Sequence, residues 1–230
     1  MGGATREARR GRREALGARP RTQSLRPPIR NPRLAPPTCR LPPLRLFLAI
    51  NLPLADRSAI RAATERMRAA APTISWVSEE RLHFTLKFLG EQQEDAVSRL
   101  RDRIRHVAAE LRSLTLTLGG LGAFPNLRDP RIVWMGVAHE PRLELMHHDI
   151  ESACAALGVA MEGRAFRPHL TLGRAKQPVP REVAIALRSA ARATEFRCTI
   201  EVSTVDLMQS TISPSGSRYA VLDAAPLGGP

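Results

Sequence analysis

Cysteine is scarce in this chain of 230 residues: Cys39, Cys154 and Cys198 are widely separated, and none forms a CxxC pair. That excludes a disulfide framework, offers no zinc-site spacing and fits a reducing, cytoplasmic setting. Long apolar runs are lacking too. None approaches the roughly 18 residues that a membrane-spanning helix needs, and no short apolar core follows the basic N-terminus as a secretory signal requires. A soluble protein without a membrane partner is expected. Neither GxGxxG nor GxxxxGK[ST] occurs, which removes the usual support for a nucleotide-cofactor or kinase reading.

What the chain does have is 43% hydrophobic residues, enough for a substantial core, and a formal net charge of +13. The charge resembles that of a nucleic-acid binder, but most of it sits in one tail. Residues 1–44 hold 11 arginines against only Glu7 and Glu14, together with eight of the 19 prolines. Such a segment cannot bury enough apolar surface to offset its ordering entropy, so residues 1–43 read as a disordered Arg/Pro-rich extension. Leu44 is the expected start of ordered structure and a candidate initiation site. Residues 44–230 then form one domain.

Past the tail, strands and helices interleave. LRLFLAINL (44–52) is a short apolar run ended by Pro53 and reads as a buried strand. ADRSAIRAATERMRAA spaces Ile60, Ala63, Met67 and Ala70 as a helix does, and EDAVSRLRDRIRHVAAEL repeats that spacing with Val97, Leu100, Ile104, Val107 and Leu111. Between them, LHFTLKFLG alternates: Phe84, Leu86 and Phe88 on one face, His83, Thr85 and Lys87 on the other. LTLTLGGLGAFPNLRDPRIVWMGV predicts an antiparallel strand pair, and PRLELMHHDIESACAALG a third helix. FRPHLTLGR is a second polar-marked strand, PREVAIALRSAAR a fourth helix, EFRCTIEVSTVDLMQS one long strand and SRYAVL a last one. The second half approximately repeats the first. Antiparallel strands with helices packed to one side give an α+β fold.

The repeated element is His-x-Thr-Leu, His83 and Thr85 in one strand and His169 and Thr171 in the other. On a strand this spacing sets an imidazole and a hydroxyl side by side while the intervening residues anchor in the core. One His-x-Thr is common by chance; two, each followed by Leu, are not. Two imidazoles on a common cleft suit a reaction in which a proton is removed at one end and delivered at the other near neutral pH. In-line displacement at a phosphodiester is such a reaction, with threonine hydroxyls donating to the non-bridging oxygens and no metal required. Lys87 shares the parity of His83, and Arg167 that of His169, so both could face the phosphate. Phe47, of opposite parity to Leu46 and Leu48, either stacks on a base or packs in the core. His147 and His148 are adjacent on a helix, and His106 and His139 lack partners at ligand spacing, so no metal site is expected.

These motifs resemble the 2H phosphoesterases, specifically the LigT-like RNA 2′,3′-cyclic phosphodiesterases, also described as 2′-5′ RNA ligases. The resemblance covers about residues 44–226 through LRLFLAINLP, LHFTLKFLGE, FRPHLTLGR and LMQSTISPSGSRYAVL. It implies a bilobal fold of two antiparallel sheets with helices outside, a pseudo-twofold axis and an active cleft between the lobes. It also implies hydrolysis of RNA 2′,3′-cyclic phosphate ends to 2′-phosphomonoesters, without metal or cofactor. His83 would then be the proton donor and His169 the acceptor, with Thr85 and Thr171 binding the phosphate; Arg174 matches the basic residue that often follows the second motif. Strict alternation turns Arg174 away from the cleft unless the strand breaks at Gly173. The expected partner is RNA carrying a cyclic phosphate end, tRNA fragments among the candidates, acted on by a monomer. The alternatives are a 2H enzyme on another cyclic phosphate or a 2′-5′ linked oligonucleotide, including reversible ligation, and a non-catalytic RNA-binding protein.

Overall fold

A computed structural model describes residues 42–213 and 216–229. The expectation of a disordered extension falls almost entirely outside those residues. Among the described residues, regular structure starts at Leu44. Nine strands and five helices follow among the described residues: β1 (Leu44–Asn51), α1 (Leu54–Ala63), α2 (Glu65–Ala70), β2 (Ile74–Trp76), β3 (His83–Gln92), α3 (Glu94–Glu110), β4 (Leu114–Asn126), β5 (Asp129–Val137), α4 (Pro141–Ala155), β6 (His169–Ala175), α5 (Arg181–Arg192), β7 (Arg197–Val202), β8 (Thr204–Ser213) and β9 (Gly216–Pro226).

The strand order is β7-β4-β5-β6-β3-β1-β8-β9, with β2 paired to β6, and every pairing between named strands is antiparallel. This order is symmetric about the β6–β3 junction. β6 corresponds to β3, β5 to β1, β4 to β8 and β7 to β9, which is the expected pseudo-twofold. The two expected sheets are present as two halves of one continuous sheet, because β3 and β6 meet at one register pair, Phe84 with Leu170. Both of these side chains are almost completely buried.

Helices cover one side. α3 packs on β8, β9 and α4; α4 also touches β3; α5 lies against α2 and β4. The inward stripe of α3, Val97, Leu100, Ile104, Val107 and Ala108, and that of α5, Ala184, Leu187 and Ala191, follow the predicted 3.6-residue spacing. At about 1.5–3 kcal/mol for each fully buried large aliphatic side chain, these stripes hold the helices to the sheet.

Two expectations on continuity are corrected. The long strand over 195–210 is two strands parted at Ser203, with β7 pairing β4 in one half and β8 pairing β1 in the other. The apolar positions change parity there, Ile200 and Val202 before the break and Val205 and Leu207 after it, and both pieces keep these faces on the same core. The first helix is also two, parted at Thr64, whose buried hydroxyl donates to the carbonyls of Ile60 and Arg61. Back-bonding of this kind loosens a helix turn.

Candidate active site

The single Phe84–Leu170 rung places the four polar residues of the two motifs around it. In an antiparallel pair the residues flanking a rung face each other, so His83 lies across from Thr171 and Thr85 across from His169, on the sheet face opposite the helices. All four are partly exposed while Phe84, Leu86, Leu170 and Leu172 are buried. The expected conjunction of two imidazoles and two hydroxyls is therefore formed.

Each imidazole is oriented in the same way. His83 Nδ1 lies 2.8 Å from the Arg81 carbonyl oxygen, and His169 Nδ1 lies 2.7 Å from the Arg167 carbonyl oxygen. A carbonyl can only accept, so Nδ1 carries the donating hydrogen in both rings and Nε2 is left to exchange a proton with a ligand. Aromatic rings fix the imidazole planes. Tyr219 stands edge-on to His83 at 5.0 Å between centroids, and Phe124 edge-on to His169 at 5.1 Å. Neither ring was singled out from the sequence, although Tyr219 is the chain's single tyrosine. The hydroxyls of Thr85 and Thr171 bond to no described residue, unlike those of Thr64 and Thr194, which donate to backbone carbonyls. They are free to donate to a ligand.

A bulge follows each motif. Along β1 and β3, Ala49 pairs with Thr85 but Leu48 with Lys87, so Leu86 is an extra residue; along β5 and β6, Trp134 pairs with Thr171 but Val133 with Gly173, so Leu172 is extra. An extra residue inverts the alternation beyond it. This corrects two expectations, for Lys87 and Phe88, and meets the condition set for Arg174.

Lys87 turns into the core, not toward the phosphate: it is 4% exposed, and its ammonium donates to Glu151 Oε2 at 2.7 Å and to the Ala160 carbonyl at 2.9 Å. Phe88, expected in the core, turns out to the cleft face and is 64% exposed. Arg174 turns onto the face of His169 and Thr171, where its positive charge is felt by His83. The break that allows this lies one residue before Gly173. A Cβ on Gly173 would come within 2.8 Å of Ile74 and 3.0 Å of the Trp76 ring, so glycine is needed there for β2 to close on β6.

Phe47 is likewise corrected as a free stacking surface. Its side chain is 3% exposed, with its ring 5.1 Å from His83 and 5.3 Å from Tyr219, so it supports the imidazole from below. Arg167 contributes its carbonyl, and its exposed guanidinium makes no hydrogen bond or ion pair with a described residue.

Beside His83 the cleft widens into a cavity of about 370 Å³ whose lining includes Asn51, Arg57, Arg81, Asp206 and Tyr219. Asn51, the strand partner of His83, donates to Asp206 Oδ2 at 2.6 Å. Burial lowers the His83 pKa below its ordinary value; the Arg81 carbonyl pushes it up, and the positive charges of Arg174 and Arg57 push it down. Among the described residues no three His, Cys, Asp or Glu side chains converge as a metal site requires.

An arrangement of two oriented Nε2 atoms, two free hydroxyls and a nearby guanidinium can hold a tetrahedral anion and move a proton on either side of it. The comparisons agree with that chemistry. The model of the 2′-5′ RNA ligase superfamily matches residues 55–211. The Archaeoglobus fulgidus RNA 2′,3′-cyclic phosphodiesterase is 32% identical over 176 residues, spanning 76% of this chain and 96% of the relative. Among solved structures, TT0787 of Thermus thermophilus superposes with a TM-score of 0.67 at 28% identity, covering 81% of this chain and 99% of its own. E. coli LigT complexed with 3′-AMP superposes with a TM-score of 0.60 at 29% identity, covering 80% and 98%. Fold, twin motifs and family model converge, and the chain belongs to the 2′-5′ RNA ligase superfamily.

Proposed function

We propose that this protein hydrolyses RNA 2′,3′-cyclic phosphate ends to 2′-phosphomonoesters. The observation that carries the reading is the pair of His-x-Thr strands meeting at one rung with both Nε2 atoms free. Relatives bearing the name RNA 2′,3′-cyclic phosphodiesterase support the substrate class. In the proposed step, His169 Nε2 removes a proton from water as its oxygen bonds to phosphorus. The bond from phosphorus to O3′ breaks, and His83 Nε2–H delivers a proton to that oxygen, leaving a 3′-hydroxyl and a 2′-phosphate. Thr85 and Thr171 donate to the non-bridging oxygens and Arg174 offsets the charge that gathers on them. With a 5′-hydroxyl in place of water the same step ligates: His169 takes the hydroxyl proton as O5′ bonds to phosphorus, the bond from phosphorus to O3′ breaks, and His83 protonates O3′, leaving a 2′-5′ phosphodiester.

Purified protein incubated in excess chelator with a 2′,3′-cyclic-phosphate-ended oligonucleotide is expected to yield the 2′-phosphate. An unchanged substrate defeats the proposal, and a 3′-phosphate product reverses the placement of O2′ and O3′. Hydrogen bonds to a charged group contribute about 1.5–3 kcal/mol. Thr85→Val and Thr171→Val should therefore each lower kcat/KM by about 10- to 100-fold, with His83 and His169 intact.

A pH profile tests the proton roles. The kcat/KM profile reports the pKa values of the acid and base of the free enzyme. Since the His83 pKa lies below its ordinary value near 6.5, one limb should break on the acid side of 6.5. Arg174→Gln removes a positive charge that disfavours the imidazolium, so the His83 pKa rises and that limb moves to higher pH. A profile unmoved by Arg174→Gln would show that His83 is not one of the groups it reports.

The cellular setting belongs to the same proposal. Cys154 and Cys198 are free thiols, and among the described residues no helix is long and apolar enough to cross a membrane. A reducing cytoplasm, with RNA fragments as substrate and the single chain as the working unit, suits these features.

A further inference from the structure

The hairpin of β4 and β5 ends in a turn that meets α5, and the two elements enclose a second cavity, of about 410 Å³. Among the described residues its lining is Asn126, Leu127, Arg128, Arg188 and Arg192, three arginines and no acid. Both walls are anchored. Asn126 Oδ1 accepts from the amides of Arg128 and Asp129 at 2.8 and 3.2 Å, and Leu127 packs on the core, so the turn that carries Arg128 is held in place. On α5, Arg188 and Arg192 stand four residues apart on one side of the helix, each next in the chain to a buried residue, Leu187 and Ala191.

Many surface arginines of this chain are matched by an acid: Arg61 by Glu65, Arg101 and Arg105 by Asp223, Arg131 by Asp129, Arg142 by Glu140. The guanidinium groups of Arg128, Arg188 and Arg192 make no hydrogen bond or ion pair with a described residue. The helix dipole favours Arg192 in the last turn, but it does little for Arg188 one turn earlier, and like charges at this spacing repel. An anion in the cavity would remove that repulsion. The register tells which anion is at hand. Ile132 of β5 pairs with Arg174 on one side and Phe124 on the other, and further along Asp129 pairs with Asn126 at the tip. The cavity therefore lies off the end of the ladder that carries Thr171, opposite Trp134, and Arg174. From Trp134 to Asp129 is about 17 Å of strand. A stacked nucleic-acid strand advances about 3.4 Å per nucleotide, so at most about five nucleotides cover that distance.

Resting on the phosphodiesterase reading above, we infer that the cavity lined by Arg128, Arg188 and Arg192 binds a backbone phosphate of the RNA strand whose cyclic end lies on the twin motifs. Guanidinium groups present paired donors that match phosphate oxygens, and such contacts position a strand without reading its sequence. The site favours a cyclic end carried on a chain over a lone cyclic nucleotide. It leaves the proton transfers as they are.

The test compares the native protein with two triple variants, Arg128→Gln with Arg188→Gln and Arg192→Gln, and the same three positions changed to lysine. The substrates are uridine 2′,3′-cyclic phosphate, an oligouridylate octamer with the same end, and that octamer with neutral methylphosphonate linkages. In the native protein kcat/KM for the charged octamer should exceed that for the mononucleotide by about 10-fold, three contacts each in the range of an exposed ion pair. The glutamine variant should lose this gain and still hydrolyse the mononucleotide at the native rate, and the lysine variant should keep most of it. On the charged octamer the slope of log kcat/KM against log salt should be shallower in the glutamine variant by about 0.7, the share of one single-strand phosphate. The neutral octamer should show no gain in the native protein. A gain that persists on the neutral octamer or in the glutamine variant overturns the inference, and so do equal losses on mononucleotide and charged octamer. Should the native protein hydrolyse none of the three, the phosphodiesterase reading fails by itself. The Kd of an oligouridylate octamer ending in a 2′-phosphate then decides the cavity: weaker binding to the glutamine variant supports it, and equal binding to both proteins overturns it.

Discussion

His83→Ala and His169→Ala should each lower kcat on a 2′,3′-cyclic-phosphate-ended oligonucleotide by about 10²- to 10⁴-fold, the usual loss when a positioned acid or base is removed. The two losses should not add. Once one proton carrier is gone, concerted transfer on both sides of phosphorus is no longer available, and removing the second takes away less than it would alone. Each variant should also lose one limb of the pH profile. Persistence of a full bell in either of them contradicts its role. Folding should be little affected, because both imidazoles are partly exposed and each is held by one carbonyl and by ring contacts, not by a buried network.

The second large effect concerns stability. Lys87 and Glu151 form an ion pair with side chains 2% and 5% exposed, and Glu151 Oε2 also accepts from the Glu162 amide. The pair ties β3 to α4 and to the segment that leads into β6, so it braces both motif strands from behind. Truncating Lys87 leaves the Glu151 carboxylate buried without its cation, held only by the Glu162 amide and with His147 Nε2 at 3.7 Å, which costs about 3–5 kcal/mol. For a domain of this size the Tm of Lys87→Ala should fall by about 10 °C. Replacing both by methionine removes both desolvation costs and should recover most of that loss. Calorimetric melting of the two single variants and the double variant measures the coupling. Lys87→Ala at native stability would show that the bridge contributes nothing. Because Lys87 points away from the cleft, KM for the cyclic phosphate should stay near the native value below the melting range, whereas a lysine on the phosphate would raise it.

The difference between these two outcomes also marks what could be read from the sequence. His83, Thr85, His169 and Thr171 were legible because period-two alternation in a strand is strict as far as it runs unbroken, and because the pattern occurs twice. The elements themselves were legible for the same reason, from apolar spacing in α3 and α5 and from the apolar run of β1. Lys87, Phe88 and Arg174 were not, since each lies beyond an extra leucine. Nothing in LKFLG or LGR announces a bulge: leucine suits either position, and the register shift is decided by neighbours on β1 and β5. Glu151, the partner of Lys87, is 64 residues away in the chain, beyond the reach of any local pattern. The break at Ser203 shows in the sequence only as a skipped beat between Val202 and Val205, and nothing in that skip tells that β7 and β8 pair in different halves of the sheet. Tyr219 and Phe124 looked like ordinary strand residues until the halves were brought together.

The Phe84–Leu170 rung has a further consequence for how the site keeps its dimensions. Each histidine sits one residue from that rung, so the gap between the two imidazoles is measured from a single shared point, as the blades of scissors are measured from their rivet. An angular displacement of one half of the sheet against the other moves side chains in proportion to their distance from that point, so it moves the two imidazoles least and the outer strands most.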